Sequence, residues 1–159
     1  MIAILNYGVG NIQSVIKAFK LFTDEIYFTD NSDIIKKSNA IVLPGVSSFG
    51  AAMNGLAEKN LISVIKEEIN KNKLFLGICI GIQLLFEGSD ESPGAAGLSI
   101  FKGRIKKFSN DLIVPQIGWN TVKLIKKNNP LFKDVHNNEY FYFVHSYFAE
   151  PIDKSIIAS

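Results

Sequence analysis

The residue with the clearest chemical potential is Cys79, which stands in the segment 77–81, Gly-Ile-Cys-Ile-Gly. The pattern Gly-x-Cys-x-Gly is the cysteine form of a nucleophile elbow, where a strand turns sharply into a helix and the backbone at the nucleophile is strained. Gly77 and Gly81 fit this turn because side chains there would clash where strand and helix converge. The helix start favours thiolate, and the Ile80 amide is placed to donate to an oxyanion. The alternative, a buried structural cysteine, leaves both glycines unexplained.

A thiolate nucleophile needs an acid–base partner, and the chain contains two histidines. His136 lies in a hydrophilic turn and is expected to be solvated. His145 lies in the alternating segment 142–147, which predicts a strand. From the residues alone, a Cys79–His145 dyad and a strand histidine that is hydrogen-bonded inside the fold are equally open interpretations.

Two glycine-containing turns could also contribute to a site. The segment 43–50 ends an apolar run with Pro44-Gly45, at the sheet edge where ligands bind in doubly wound folds, although an ordinary strand-end turn is the alternative. The segment 6–11 lacks the third glycine of a dinucleotide fingerprint, so dinucleotide binding is not favoured. One cysteine and two separated histidines give no metal-ligand spacing. We therefore predict no metal site and no cofactor.

The elements that must position these residues follow from the apolar pattern. Strands are predicted at 2–5, 25–29, 40–43 and 74–78, and helices at 12–20, 32–37 (with Ser32 as its N-cap) and from residue 60 onward. After a polar loop over 88–97, antiparallel strands are predicted in the alternating runs 100–108, 119–125 and 140–148. The predicted fold class is α/β: a mainly parallel, doubly wound sheet covered by helices on both faces, with antiparallel strands added in the second half.

Composition excludes several classes of protein. The chain has 159 residues, of which 47% are hydrophobic and 20% charged, so one domain over residues 1–159 is expected and disorder is excluded. The net charge is +2 and Arg104 is the single arginine, which argues against a nucleic-acid binder. The N-terminus has no signal-peptide pattern, and the most apolar run is too short to span a membrane. A single cysteine excludes a disulfide scaffold and fits the cytoplasm.

The last residues of the sequence, 155–159, read as the opening of another strand. A domain seldom stops inside an apolar strand, because the edge of that strand would be left unpaired. We therefore expect the domain to be truncated at its C-terminus.

Five segments together resemble the class I (triad-type) glutamine amidotransferases, and most of all the glutaminase subunit of imidazole glycerol phosphate synthase, an enzyme of histidine biosynthesis. They occur in the family's order and are 6–11, 43–46, 77–83, 114–120 and 142–147. The cysteine elbow marks the superfamily. The Asn-Tyr-Gly and Gly-Trp-Asn segments narrow the resemblance to this subunit type.

The resemblance implies a role for each matched position. Cys79 would attack the side-chain amide of glutamine, form a glutamyl thioester and release ammonia. The oxyanion hole would be formed by the backbone at Gly45 and Val46 together with the Ile80 amide. The substrate-binding positions would be Gln83, Glu91, Ser146 and Tyr147. Ammonia would pass to a (βα)₈-barrel cyclase partner, in a heterodimer that forms imidazole glycerol phosphate.

Three departures from the family pattern leave alternatives open. The family's catalytic base and its orienting group lie in a His-Pro-Glu segment that these 159 residues do not contain, so the resemblance argues against the Cys79–His145 dyad and predicts an inactive chain. Ser47 stands where glycine is usual, and Gln116 stands where histidine is usual. The alternatives are a glutaminase subunit of a paralogous synthase that aminates another acceptor, such as a surface sugar, and a non-catalytic partner-binding module.

Overall fold

A four-stranded parallel sheet forms the centre of the fold. The computed structural model describes residues 1–8, 10–126 and 128–159. The sheet consists of β1 (Ile2–Leu5), β2 (Ile26–Thr29), β3 (Ala40–Leu43) and β4 (Leu74–Gly77), in the spatial order β2-β1-β3-β4. These are the four strands that the apolar runs predict, and each end lies within one residue of its predicted position. The α/β class is confirmed.

Five α-helices occupy the described part of the chain: α1 (Ile12–Phe19), α2 (Ser32–Lys37), α3 (Phe49–Glu58), α4 (Leu61–Asn70) and α5 (Ile80–Gln83). Because crossovers between parallel strands are right-handed, α1 lies on one face of the sheet and α2, α3 and α4 lie on the other. The second face holds the core. Its fully buried side chains include Leu5, Ile41 and Leu43 from the strands and Phe49, Leu56 and Ile65 from the helices.

The sheet is covered less completely on the α1 face than the sequence predicts. None of the α1 side chains is buried. β4 is the last strand of the sheet, and its outer edge is unpaired in the described part of the chain. Leu74 and Leu76 lie on the α1 face, in register with Ala40 and Val42, and Leu74 is 71% exposed. Apolar side chains along an unpaired edge strand form a surface that favours association.

The start of one helix differs from the prediction, and one further helix was not predicted. Asn31, rather than Ser32, is the N-cap of α2, because the Asn31 side-chain oxygen accepts hydrogen bonds from two backbone N–H groups in the first turn. Helix α3 was not predicted, because Gly50 and Gly55 dilute its apolar pattern. Gly55 is needed there, since a Cβ would lie 2.5 Å from the Tyr7 carbonyl oxygen and 3.2 Å from the Tyr7 ring.

A second, mixed sheet replaces the predicted polar loop over 88–97. It contains β5 (Gly88–Ser89), β6 (Ser92–Ala96), β7 (Gly103–Lys107) and β10 (Tyr147–Pro151), in the order β10-β7-β5-β6. β5 pairs antiparallel with β6 and parallel with β7, whereas β7 and β10 are antiparallel. Strands rich in glycine and serine carry almost no hydrophobic alternation, which is why the sequence pattern indicates a loop.

A separate hairpin is formed by β8 (Gln116–Val122) and β9 (Glu139–His145), which are antiparallel. The predicted strand over 140–148 is therefore two strands, β9 and β10, divided at Ser146. The expected strand at the end of the sequence is wrong: Lys154–Ile156 form a 3₁₀ turn, and the Ala158 carbonyl accepts from the Ile125 and Lys126 amides. The Asp153 side chain caps this turn by accepting from the Ser155 amide.

A buried ion pair joins α4 to the start of β4. Glu68 is only 3% exposed, and its carboxylate lies 2.6 Å from Lys73 Nζ and 2.9 Å from Lys71 Nζ. Lys73 Nζ also donates to the Ile35 and Lys36 carbonyls at the end of α2. The hydrogen bonds from Lys73 and then Lys71 lower the pKa of Glu68. The carboxylate is therefore charged in the folded state and holds α2, α4 and β4 together.

Within the described ranges, no helix is both long and apolar enough to cross a membrane. The same residues contain no group of three or more His, Cys, Asp or Glu side chains that could hold a metal ion.

Candidate active site

Cys79 lies at the turn between β4 and α5, and its backbone has φ 54° and ψ −114°. This positive φ is strained for a residue with a side chain, as expected for a nucleophile elbow. The thiol is exposed to solvent. Cys79 is therefore neither buried nor structural, and the alternative of a core cysteine is wrong.

The two flanking glycines are needed by the packing of this turn. A Cβ on Gly81 would overlap the carbonyl oxygen of Leu43 in β3 and lie 2.8 Å from its carbonyl carbon. A Cβ on Gly77 would lie 2.5 Å from the Ile82 nitrogen in α5. The turn is further fixed to the sheet, because the Ile78 amide donates to the same Leu43 carbonyl at 3.0 Å. Helix and sheet are thus in backbone contact on both sides of Cys79.

Helix α5 has only four residues. A single turn has little macrodipole, so its effect on a thiolate comes from its first free amides rather than from the length of the helix. Ile80 is its first residue. Among the described residues, the Ile80 amide donates to no protein acceptor.

The turn that follows β3 reaches the same place from the neighbouring strand. Pro44 and Gly45 are buried, whereas Val46 is exposed and lines the cleft with Cys79. A Cβ on Gly45 would overlap the Ile80 side chain and the Tyr7 hydroxyl, so only glycine fits at this position. The amide of Val46, like that of Ile80, donates to no acceptor in the described part of the chain.

A cleft of about 440 Å³ brings the sequence-predicted residues together. It is lined by Val46, Ser47, Cys79, Ile80, Gln83, Glu91, Pro115, Val144, His145, Ser146 and Tyr147. Seven of the eight predicted site residues are in this set, and the eighth, Gly45, precedes Val46. The residues come from the elbow, the turn after β3, the second sheet and the hairpin.

Glu91 connects the wall of the cleft to helix α3. Its Oε2 accepts from the Phe49 amide at 2.7 Å, and the neighbouring Ser92 Oγ accepts from the Gly50 amide at 3.0 Å. Both bonds satisfy free N–H groups at the helix start. The carboxylate of Glu91 is thus held in place and gives the cleft a negative charge, suited to an ammonium group of a ligand.

His145 lines the cleft, but both of its ring nitrogens have protein partners. Nδ1 lies 3.0 Å from the Tyr147 carbonyl oxygen and Nε2 lies 3.1 Å from Gln116 Oε1. Both partner atoms are oxygens, so a ring nitrogen bonded to either of them donates its N–H to that oxygen. Both ring nitrogens are therefore directed at oxygen acceptors, and the structure gives neither of them a contact with the Cys79 thiol. The hydrogen-bonded strand histidine is therefore favoured over the dyad.

Three other residues singled out from the sequence have clear positions. His136 is exposed in the turn before β9, and its backbone amide donates to the Glu139 carboxylate. Ser47 is half-buried on the cleft wall, and its hydroxyl donates to the Ser48 carbonyl at 3.3 Å. Gln116, through its side-chain oxygen, is the partner of His145 Nε2.

Sequence reasoning missed one residue of this region. Tyr7 is 2% exposed, and its hydroxyl donates to the Pro44 carbonyl at 2.5 Å. Burial, and then the negative charge of the nearby Cys79, raise the pKa of Tyr7 to about 12. The available signal was the position of Tyr7 directly after β1, since the carboxyl ends of neighbouring parallel strands meet at one edge of the sheet.

Comparisons with known proteins agree with this architecture. Residues 3–159 match the family described as glutamine amidotransferase class-I. The chain is 51% identical over 158 residues to the imidazole glycerol phosphate synthase subunit HisH of Pyrococcus furiosus, an alignment that covers 99% of this chain and 77% of the relative. It is 44% identical over 161 residues to subunit HisH 1 of Methanococcus maripaludis, covering 99% of this chain and 79% of the relative.

A solved glutamine amidotransferase has the same fold, with a TM-score of 0.71 over 96% of this chain and 75% of that chain, at 12% sequence identity. Together with the family match over almost the whole sequence, this likeness establishes that the chain belongs to the class I glutamine amidotransferases.

Proposed function

We propose that this protein is the glutaminase subunit of an imidazole glycerol phosphate synthase, which hydrolyses glutamine to glutamate and passes the ammonia to a (βα)₈-barrel cyclase subunit. The observation that carries the proposal is the exposed, strained Cys79 in a cleft lined by Val46 and Ile80, whose amides donate to no acceptor within the described ranges. The identity of the synthase is proposed from the curated relatives, which are both subunits of imidazole glycerol phosphate synthase. The single cysteine and this biosynthetic role favour the cytoplasm as its location.

The first chemical step uses the elbow. The Cys79 sulfur adds to the side-chain amide carbon of glutamine, and the carbonyl electrons move to the oxygen. The Val46 and Ile80 amides are the proposed donors to that oxyanion. The tetrahedral intermediate then collapses, the carbon–nitrogen bond breaks, and the nitrogen takes up a proton and leaves as ammonia. A glutamyl thioester remains on Cys79.

Substrate orientation is assigned to groups on the opposite walls. The Glu91 carboxylate is proposed to hold the α-ammonium group of glutamine, because its position is fixed by the start of α3. Gln83 lies one turn after Cys79 and presents an amide to the cleft. Backbone groups of Ser146 and Tyr147, at the division between β9 and β10, are proposed to hold the α-carboxylate.

The acid–base group is proposed to come from outside these 159 residues. Ammonia needs a proton to leave, and water must lose a proton to hydrolyse the thioester. His145 has no free ring nitrogen for either task, and His136 lies on the surface and outside the cleft lining. The curated relatives extend beyond the span they share with this chain. The open edge of β4, next to Cys79, offers a place for such a segment.

The barrel partner is proposed to dock on one face of the hairpin. This hairpin face is formed by Ile117, Trp119, Thr121, Tyr140, Tyr142 and Val144, which are exposed and paired across the two strands. Trp119 is 69% exposed, and its ring packs edge-on against Tyr142 at a centroid distance of 5.6 Å. Exposed aromatic residues are typical anchors of interfaces. Val144 also lines the cleft, so a partner on this face would adjoin the ammonia source.

The deciding experiment measures glutamate release. The 159-residue chain is expected to show essentially no turnover, with or without a barrel partner. A chimera that adds the part of the Pyrococcus furiosus relative lying beyond the matched span should hydrolyse glutamine, and Cys79→Ser in the chimera should abolish this activity. The control is His145→Ala in the chimera, which should retain measurable turnover. Robust turnover by the 159 residues alone, lost in His145→Ala, would restore the dyad and contradict the proposed source of the base.

A further inference from the structure

Tyr7 links the two backbone segments that are proposed to hold the oxyanion. It follows β1, and the Pro44 turn follows β3, the neighbouring strand in the sheet. The Tyr7 hydroxyl donates to the Pro44 carbonyl at 2.5 Å, across 37 positions of sequence. The same hydroxyl and the Ile80 side chain fill the space above the α-carbon of Gly45.

This hydrogen bond fixes one peptide plane. A peptide group is planar, so holding the Pro44 carbonyl also sets the direction of the Gly45 N–H. Gly45 has no side chain to resist rotation, and the next amide in the chain is that of Val46. Among the described residues, the Tyr7 hydroxyl is the side-chain group that bonds to this peptide plane, and the orientation of the Val46 donor depends on that plane.

The Tyr7 ring is itself held firmly. It is 2% exposed, and it packs against Gly55 of α3, whose missing side chain leaves room for it. The pKa of Tyr7, raised to about 12 by burial and by the charge of Cys79, keeps the hydroxyl protonated at every pH at which the protein would work. The hydroxyl is therefore a permanent donor rather than a titrating group.

We propose that Tyr7 is a positioning residue of the glutaminase site, whose hydroxyl holds the Pro44–Gly45 peptide so that the Val46 amide faces the oxyanion. This inference rests on the proposed function. Tyr7 touches neither glutamine nor the reacting atoms. Its effect is confined to the state in which negative charge develops on the substrate oxygen, so it should not alter the binding of uncharged amide.

The probe is glutamate γ-semialdehyde, which is prepared fresh because it cyclises. Its adduct with Cys79 carries negative charge on the former carbonyl oxygen, and the adduct forms without an acid–base group. The Cys79 sulfur adds to the aldehyde carbon and the carbonyl electrons move to the oxygen, with no leaving group. Removal of an oxyanion-hole donor lowers the kcat of an enzyme by a factor of about 10²–10³. Tyr7→Phe loosens such a donor without removing it, so it should weaken semialdehyde binding less, by about tenfold. Glutamine binding to the 159-residue chain should change less than twofold, and the rate of Cys79 alkylation by iodoacetamide should be unchanged. Tyr27→Phe, an exposed tyrosine of β2, is the matched control and should behave as the parent protein.

Each outcome of this experiment bears on a different statement. Parent-like semialdehyde binding by Tyr7→Phe would overturn the positioning role and leave the proposed function standing. If Tyr7→Phe weakens the binding of semialdehyde and of glutamine equally, the hydroxyl contributes only general stability and the positioning role is overturned. The same conclusion follows if circular dichroism shows that the Tyr7→Phe protein is unfolded. If the parent chain binds the semialdehyde no more tightly than Cys79→Ser does, the proposed function fails, and the role of Tyr7 fails with it.

Discussion

Replacement of Gly81 by alanine tests whether the elbow depends on backbone contact between α5 and β3. The added Cβ would overlap the Leu43 carbonyl oxygen and lie 2.8 Å from the Leu43 carbonyl carbon. Neither atom can rotate away, because both belong to the main chain of a central strand that also accepts from Ile78. Helix α5 must therefore move, and Cys79 must move with it.

The size of the effect follows from two opposing contributions. Overpacking of a tight contact costs about 1–3 kcal/mol, and a contact with immovable backbone belongs at the upper end of that range. Alanine is better than glycine inside a helix by up to about 1 kcal/mol, which opposes the clash. The net loss of unfolding free energy should be about 2 kcal/mol, equivalent to a fall in Tm of about 4–8 °C for a domain of this size.

Gly94→Ala is the matched control, because a Cβ there meets nothing within 4 Å. Its stability should change by less than about 0.5 kcal/mol. Urea and thermal unfolding give the two stabilities, and iodoacetamide alkylation reports the position of the Cys79 thiol. If Gly81→Ala is as stable and as reactive as Gly94→Ala, the helix does not press on Leu43 as described, and the reasoning about the elbow glycines is wrong.

The remaining expectations concern the thiol, the buried ion pair and the hairpin face. A diazo-ketone analogue of glutamine should add once to the chain, and intact-mass measurement of Cys79→Ser should show no adduct; equal labelling of both proteins would exclude the nucleophile role. The pKa of Glu68 is lower in the folded state than its ordinary value of 4.5, so on acidification the unfolded chain takes up this proton first, and the free energy of unfolding should be level near neutral pH and fall below about pH 4.5. Urea titrations of Glu68→Gln should show a shallower fall, and equal slopes would contradict the pairing with Lys73. Trp119→Ala should weaken binding of the barrel partner more than about tenfold by calorimetry, whereas Leu21→Ala, at another exposed apolar position, should not.

The sequence predicts best the parts of the fold that depend on local pattern. The four parallel strands are short, continuous apolar runs, and each was identified to within one residue. The mixed sheet was missed because Gly88–Ser89 and Ser92–Ala96 have the composition of a loop. These strands exist because β7 and helix α3 pair and pack with them, and such tertiary contacts leave no periodicity in the sequence.

The site shows the same division between local and distant information. The elbow was predictable because Gly77, Cys79 and Gly81 meet within five residues. The bond from Tyr7 to Pro44 joins positions 37 apart, and the bond from Phe49 to Glu91 joins positions 42 apart. Neither pair has a spacing that sequence reasoning can use. Only the order of the strands, with β1 beside β3 and β3 beside β4, brings their following turns together.

That strand order has a chemical consequence. The turns after β1, β3 and β4 supply the proposed positioning hydroxyl, the proposed oxyanion amides and the thiol. The proposed capacity to capture a carbonyl compound therefore depends on neighbouring strands within these 159 residues. Proton transfer is a separate requirement, and both ring nitrogens of His145 are occupied. Covalent capture and turnover should therefore separate experimentally. The 159-residue chain should form the semialdehyde adduct at Cys79, while a glutamyl thioester formed from glutamine should not accumulate, because the group that would protonate the departing nitrogen is proposed to lie outside these residues.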